Sequence, residues 1–154
     1  MVKPYLKIPK NVDAELKWMD GLKFVSTTGS KQTLVLDASL EHGGNDQGAR
    51  PMEAMLSALG SCTGMDLVTI LKKKKRNLQD LKINLFGERS SSHPHVFKKI
   101  TMEYLIWSPD ITDEDVQWAV NLSLEKYCSI AAMIKKTCKL NFKWRINKKG
   151  NSSK

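Results

Sequence analysis

One long predicted helix, from Pro51 to about Arg76, limits the possible folds more than any other feature of the sequence. Pro51 suits the first position of a helix, and Glu53 suits the positive first turn. Drawn as a helix, the segment has almost no polar face, so it must be largely buried. The rest of the 154 residues must therefore supply the surfaces that cover a long helix.

Segments rich in β-forming residues lie on both sides of this helix and predict strands. They are residues 13–19, 22–27, 33–38, 81–86, 100–107 and 140–146. Asp20-Gly21 separates the first two segments, and this dipeptide supports the positive φ angles of a two-residue hairpin turn. Strands grouped before and after a long helix predict an α+β fold.

Two shorter helices are predicted in the second half of the chain. Thr112 and Asp115 have the spacing of a capping box, which predicts a helix from there to about Lys126. A second short helix is predicted after Cys128. We expect a single domain over residues 1–147 and a basic, flexible tail over residues 148–154.

The basic residues are concentrated in two places. The formal net charge is +9, and eight of the positive charges come from Lys72, Lys73, Lys74, Lys75, Arg76, Lys148, Lys149 and Lys154. Cations complement the C-terminal end of a helix dipole, so the run that follows the long helix is interpreted as a solvated helix end. A nucleic-acid partner for this run is the less favoured alternative.

Composition also bears on the compartment. Three cysteines in 154 residues exclude a disulfide scaffold. No uninterrupted apolar run reaches about 18 residues, and the N-terminus has no apolar signal core. We therefore expect a cytoplasmic protein without a membrane-spanning helix.

One face of the predicted long helix carries small or polar residues: Glu53, Ser57, Gly60, Ser61 and Gly64. The two glycines would allow another element to approach closely. A helix of a second subunit and the chain's own sheet are both possible occupants of this face, and the sequence leaves both open.

The three cysteines have different local surroundings. Cys62 lies in the middle of the long helix, and Asp66 follows one turn later on the same face. A nearby carboxylate and burial both disfavour a thiolate. Cys128 lies where one predicted helix ends and the next begins, and a helix N-terminus favours a thiolate. These local surroundings predict that Cys128 is the more easily ionised thiol. Cys138 is predicted to be a core residue.

No metal or cofactor site is predicted. The cysteines and the histidines His42, His93 and His95 form no CxxC or HxxxH pair, and no glycine-rich phosphate-binding motif is present. The four tryptophans fall at alternating or helical positions and are predicted to be core residues: Trp18, Trp107, Trp118 and Trp144.

Three segments together resemble the OsmC/Ohr family. Residues 51–66, PMEAMLSALGSCTGMD, resemble the family's signature helix, and residues 125–130, EKYCSI, resemble its second cysteine motif. Residues 17–24, KWMDGLKF, are similar to the N-terminal hairpin of the YhfA-like branch. The resemblance extends over nearly the whole chain.

This resemblance implies a fold, a partner and an activity. The implied fold is OsmC-like, with antiparallel sheets around a long central helix in an intertwined homodimer. The implied activity is reduction of organic hydroperoxides by thiols, with Cys62 as the peroxidatic cysteine, Cys128 as the resolving cysteine and Glu53 as the active-site glutamate. Glu53 and Cys62 are nine residues apart, which is about 900° of helical rotation, so Glu53 would act from the partner chain.

The sequence departs from the peroxidase branches at one functional position. Those branches use an arginine from the N-terminal strand region, and residues 1–49 contain none. Lys17, Lys23 and Arg50 are the candidates to replace it, and a lysine does so only in part. We therefore predict a weak Cys62/Cys128 hydroperoxide reductase that needs a thiol reductant. The alternative is an OsmC-fold protein that binds a small apolar molecule or senses redox state without turnover.

Overall fold

The computed structural model describes residues 10–148. The chain divides into two compact units, residues 1–54 and 55–154. Each unit is described separately below. Residues 149–154 of the predicted tail lie outside the described residues, and of the tail only Lys148 is seen, where its ammonium donates to the carbonyl of Ile111.

The first unit contains a three-stranded antiparallel sheet. Its strands are β1 (Ala14–Asp20), β2 (Lys23–Thr28) and β3 (Thr33–Leu36), in the order β1-β2-β3. The predicted hairpin is confirmed, but its two-residue turn is Gly21-Leu22 rather than Asp20-Gly21, because Asp20 pairs with Lys23 as the last residue of β1. Gly21 in this turn has a φ of +52°. Strand β1 is an edge strand and is exposed along its whole length.

The second unit contains most of the long helix and a second sheet. Helix α1 (Pro51–Lys73) begins in the first unit and is followed by β4 (Asp80–Arg89) and β5 (Phe97–Trp107). Helix α2 (Asp113–Leu122), a π-helical turn (Ser123–Tyr127) and helix α3 (Ser129–Ile134) lead to β6 (Lys139–Asn147). The α+β fold class is confirmed.

The second sheet differs in one respect from the all-antiparallel prediction. Its order is β4-β5-β6, with β4 and β5 antiparallel but β5 and β6 parallel. A parallel pair needs a long crossover, and helices α2 and α3 supply it. The sequence showed both helices, but it did not show that they connect strands of the same direction.

Helix α1 forms the core of the second unit. Leu59, Leu67 and Leu71 are fully buried, and so are Ile100 and Met102 of β5. The helix is also long and apolar enough to cross a membrane, with a mean hydropathy of 1.5 in its most apolar window. Core helices of soluble proteins share this property, which the absence of a long uninterrupted apolar run did not indicate.

The glycines of α1 pack against the chain's own sheet. A Cβ added at Gly60 would lie 2.6 Å from Cδ1 of Leu85, and one added at Gly64 would lie 2.9 Å from Cδ1 of Ile83. Leu85 and Ile83 both belong to β4. Of the two possible occupants of the glycine face, the structure shows the chain's own sheet.

Helix α1 ends at Lys73, three residues before the predicted end. Lys75 adopts a left-handed conformation with φ of 59°, and the Arg76 N–H donates to the Leu71 carbonyl at 3.0 Å. This is the hydrogen-bond pattern of a Schellman motif.

The basic run is therefore only partly the solvated helix end that was predicted. Lys74 and Arg76 form ion pairs with the buried carboxylate of Asp115, with 2.7 Å between Arg76 Nε and Asp115 Oδ2. Asp115 also completes the capping box with Thr112 that the sequence predicted.

The prediction for the four tryptophans was wrong. Trp18 and Trp118 are 62% and 48% exposed, and Trp107 and Trp144 are half-buried. Tryptophan is large and rarely buries its whole surface. Trp18 instead closes the hairpin by donating from Nε1 to the Gly21 carbonyl at 3.0 Å.

Candidate functional site

Two of the three cysteines come together with one carboxylate in the second unit. The Sγ atoms of Cys62 and Cys128 and a carboxylate oxygen of Asp66 all lie within 4.8 Å of one another. We call these three residues the thiol–carboxylate cluster. Helix α1 places Cys62 and Asp66 one turn apart on one face, as the sequence predicted. Cys128 reaches them from the start of α3.

The π-helical turn determines where Cys128 lies. The predicted helix to about Lys126 continues only to Leu122 as an α-helix, and the wider turn then carries the chain to Tyr127. The Cys128 N–H donates to the Ser123 carbonyl at 2.8 Å and closes this turn. Turns of this kind are frequent at functional sites, where they reposition a side chain.

Cys128 caps helix α3, but its thiol is not the easily ionised group that was predicted. Its Sγ accepts a hydrogen bond from the Ala131 N–H at 3.3 Å, as a helix N-terminus provides. The residue is only 2% exposed. Burial and then the neighbouring Cys62 thiol raise the pKa of Cys128 to about 12, and the backbone N–H groups lower it only in part. The cost of desolvating the thiolate outweighs the stabilisation that the N-terminus of this short helix provides.

A buried serine links the carboxylate to the turn. Ser123 is fully buried, and its hydroxyl donates to Asp66 Oδ2 at 2.7 Å. This bond ties α1 to the turn that presents Cys128. The sequence pointed to Asp66 through its spacing from Cys62, but Ser123 had no comparable signal because its partner is 57 residues away.

A tyrosine that no sequence pattern indicated interacts with the cluster. Tyr104 of β5 is fully buried. Burial raises the pKa of Tyr104 to about 12, a hydrogen bond with the Thr63 side chain opposes this, and the charges of Cys128 and Asp66 raise it further. The neutral phenol is therefore a proton-bearing group at the edge of the cluster.

Cys138 stands apart from the cluster. It is 6% exposed, lies between α3 and β6, and directs its Sγ to the Lys139 carbonyl at 3.6 Å. Burial raises the pKa of its thiol. Its predicted place in the core is confirmed.

The remaining candidate residues belong to the first unit. The Glu53 carboxylate accepts a hydrogen bond from the Arg50 N–H at 2.9 Å and caps the start of α1. The Arg50 guanidinium pairs with Asp46 and donates to the Gly48 carbonyl at 2.8 Å. Lys23 donates to Gln47 Oε1 at 2.7 Å. Each of these side chains thus has a local partner, whereas Lys17 lies on the exposed strand β1.

Comparison with known proteins identifies the family of this chain. Residues 43–143 match the family model described as OsmC-like protein. This chain belongs to the OsmC-like family. Protein YhfA of Escherichia coli K12 is 32% identical over 135 residues, which cover 88% of this chain and 98% of that protein.

Two solved structures have a similar fold. A hypothetical protein from Aquifex aeolicus VF5 matches with a TM-score of 0.79 and 32% identity, over 90% of this chain and 98% of that one. An organic hydroperoxide resistance protein OsmC from Legionella pneumophila matches with a TM-score of 0.66 and 14% identity, over 90% and 98% of the two chains. At that identity the second match shows the fold alone.

Proposed function

We propose that this OsmC-like protein reduces organic hydroperoxides with Cys62 and Cys128. The observation that carries the proposal is the proximity of the two sulfurs, within 4.8 Å of each other. Both thiols are free. A disulfide bond needs sulfurs about 2.05 Å apart, so a small movement of either side chain would join them. Membership of the OsmC-like family supports the same class of chemistry.

The exposure of the two thiols assigns their order of reaction. Cys62 is half-buried and Cys128 is buried, so a peroxide reaches Cys62 more easily. The Cys62 thiolate attacks one peroxide oxygen, the O–O bond breaks, and the alkoxide leaves and takes up a proton to become the alcohol. Cys128 then attacks the sulfenic acid at Cys62, which releases water and leaves a disulfide. An external thiol reductant restores both thiols.

One feature of the cluster makes this a slow peroxidase. The pKa of about 12 at Cys128 keeps the resolving thiol protonated at neutral pH. Because the thiolate fraction rises about tenfold per pH unit below the pKa, disulfide formation should accelerate with rising pH.

We also propose that the protein is a homodimer and that Glu53 takes part in the reaction. The helix period puts Glu53 and Cys62 on opposite faces of α1, so a role for Glu53 in the reaction requires the partner chain. The exposed edge strand β1 supports a second copy as partner, because Leu16 and Trp18 are 54% and 62% exposed on it. We also propose a cytoplasmic location, because thiols stay reduced in that compartment.

The burial of Cys128 also supports one alternative function. A buried Cys128 beside Asp66 also suits an OsmC-like protein that binds a small apolar molecule or senses redox state without turnover. The two readings differ in catalysis, so a turnover assay separates them.

The test is steady consumption of cumene hydroperoxide with dithiothreitol as reductant. We expect turnover by the wild-type protein and by Cys138→Ser, and none by Cys62→Ser. Wild-type protein that consumes no more hydroperoxide than Cys62→Ser does would overturn the peroxidase proposal and leave the binding alternative.

A further inference from the structure

The thiol–carboxylate cluster has the composition of a metal site as well as of a redox pair. It offers two sulfurs and one carboxylate oxygen, and all three ligand atoms lie within 4.8 Å of one another. Catalytic zinc sites commonly use three protein ligands and leave a fourth position open. We infer that Cys62, Asp66 and Cys128 of the reduced protein bind a Zn²⁺ ion.

The distances suit zinc after a small contraction. Zinc bonds to sulfur at about 2.3 Å and to carboxylate oxygen at about 2.0–2.2 Å, so tetrahedral ligand atoms lie roughly 3.5–3.8 Å apart. Cys62 and Asp66 lie one turn apart on α1, and Cys128 lies between the π-helical turn and α3, so side-chain rotation can supply the contraction. Thiolate ligands favour Zn²⁺ over Mg²⁺ and Ca²⁺, which prefer oxygen.

The charges of the cluster favour a cation. Three acidic groups meet there, and the hydrogen bonds to Asp66 and Cys128 come from neutral donors, the Ser123 hydroxyl and the Ala131 N–H. A bound Zn²⁺ displaces one proton from each thiol and leaves the site with a net charge of −1. The ion thus neutralises most of the negative charge that the three ionised ligands bring together.

The surroundings resemble the outer shell of a metal site. The Ser123 hydroxyl fixes the Asp66 carboxylate at 2.7 Å, and the Ala131 N–H contacts Cys128 Sγ at 3.3 Å. Hydrogen bonds of this kind orient metal ligands. The sequence criterion of paired ligands such as CxxC could not find this site, because Cys128 is 66 residues from Cys62 and joins it only in the fold.

Zinc binding and peroxide reduction use the same sulfurs but are separate claims. The inference concerns the reduced protein and does not require turnover. The direct test is therefore a titration of oxygen-free, reduced, chelator-treated protein with Co²⁺ and then with Zn²⁺ in competition with a chromophoric chelator.

We expect one ion per chain and a thiolate-to-cobalt charge-transfer band that Zn²⁺ abolishes. Cys62→Ser and Cys128→Ser should each remove this band. Asp66→Asn should raise the Kd for zinc at least tenfold, since even outer-shell changes cost about 10–100-fold. Cys138→Ser, whose thiol lies outside the cluster, should bind as the wild type does.

The readout does not depend on activity, and circular dichroism checks that each variant folds. A second measurement is alkylation by iodoacetamide, from which Zn²⁺ should protect Cys62. Absence of the charge-transfer band in the wild-type protein would overturn the inference. So would an unchanged band in Cys62→Ser, an Asp66→Asn variant that binds zinc as tightly as wild type, or a loss of binding in Cys138→Ser.

Discussion

At the level of single residues, burial decides the chemistry of Cys128. The sequence correctly placed this cysteine at the start of a helix, and its Sγ does accept a backbone N–H. Helix position is local and can be read from the chain, whereas burial depends on elements far away in sequence. That is why the direction of the pKa shift was predicted incorrectly.

The charge of Asp66 should be visible in the reactivity of Cys62. In chelator-treated protein, Asp66→Asn should accelerate alkylation of Cys62 by iodoacetamide roughly three- to tenfold, because removal of a nearby negative charge favours the thiolate. Glu125→Gln, which removes an exposed charge from the π-helical turn, is the matched control and should have no effect. Equal rates in wild type and Asp66→Asn would show that the carboxylate does not act on the thiol.

Asp115 should link stability to pH. Burial alone would raise the pKa of this carboxyl, but hydrogen bonds from Lys74, Thr112 and Arg76 lower it from 3.8 to about 2. A lowered pKa means that the native state favours the ionised form. The stabilisation is therefore complete above pH 3.8 and is lost as the pH falls towards 2.

Substitution of this residue tests the linkage. Asp115→Asn should lower the free energy of unfolding at pH 7 by about 2 kcal/mol, since it leaves two cations without their partner. It should also flatten the loss of stability between pH 4 and pH 2, measured by urea unfolding. Glu114→Gln changes an exposed carboxyl one residue earlier and should leave the pH profile unchanged. A steep acid dependence that survives in Asp115→Asn would contradict the assignment.

At the level of helices and strands, the sequence predicted the features that depend on residues close together in the chain. The Thr112/Asp115 capping box formed as predicted, and the first hairpin formed with its turn one residue later, at Gly21-Leu22. The parallel pairing of β5 with β6 and the meeting of Cys62 with Cys128 were not local, because each joins segments separated by tens of residues. The family resemblance, not the residue patterns, paired the two cysteines in advance.

The packing of α1 on β4 gives a prediction about Gly60. Gly60→Leu should lower the free energy of unfolding by about 1–3 kcal/mol, because a Cβ there would lie 2.6 Å from Cδ1 of Leu85 and Leu85 would have to shift. Ser61→Ala, at the next and exposed position of the same helix, should change stability by well under 1 kcal/mol. Denaturant unfolding compares the two. A neutral Gly60→Leu would mean that helix and strand are further apart than described.

At the level of the whole molecule, the exposed edge strand predicts association. An edge strand with exposed apolar side chains is a site for pairing with another chain. We therefore expect a homodimer at micromolar concentration by analytical ultracentrifugation. Leu16→Glu should shift the protein towards monomer, whereas Lys17→Glu, the neighbouring charge change on the same exposed strand, should shift it less. A wild-type monomer would rule out the dimer and the proposed role of Glu53 in the reaction.

The central claim is that Cys62 and Cys128 act together as one redox pair. Its most direct test is peptide mapping by mass spectrometry after treatment of the reduced protein with one equivalent of cumene hydroperoxide. The account predicts a disulfide-linked pair of peptides containing Cys62 and Cys128, with Cys138 still free to label after unfolding, and a Cys128→Ser variant that instead accumulates sulfinic acid at Cys62. If all three thiols of the wild-type protein still label after unfolding, the cysteines are packing residues and the account is contradicted.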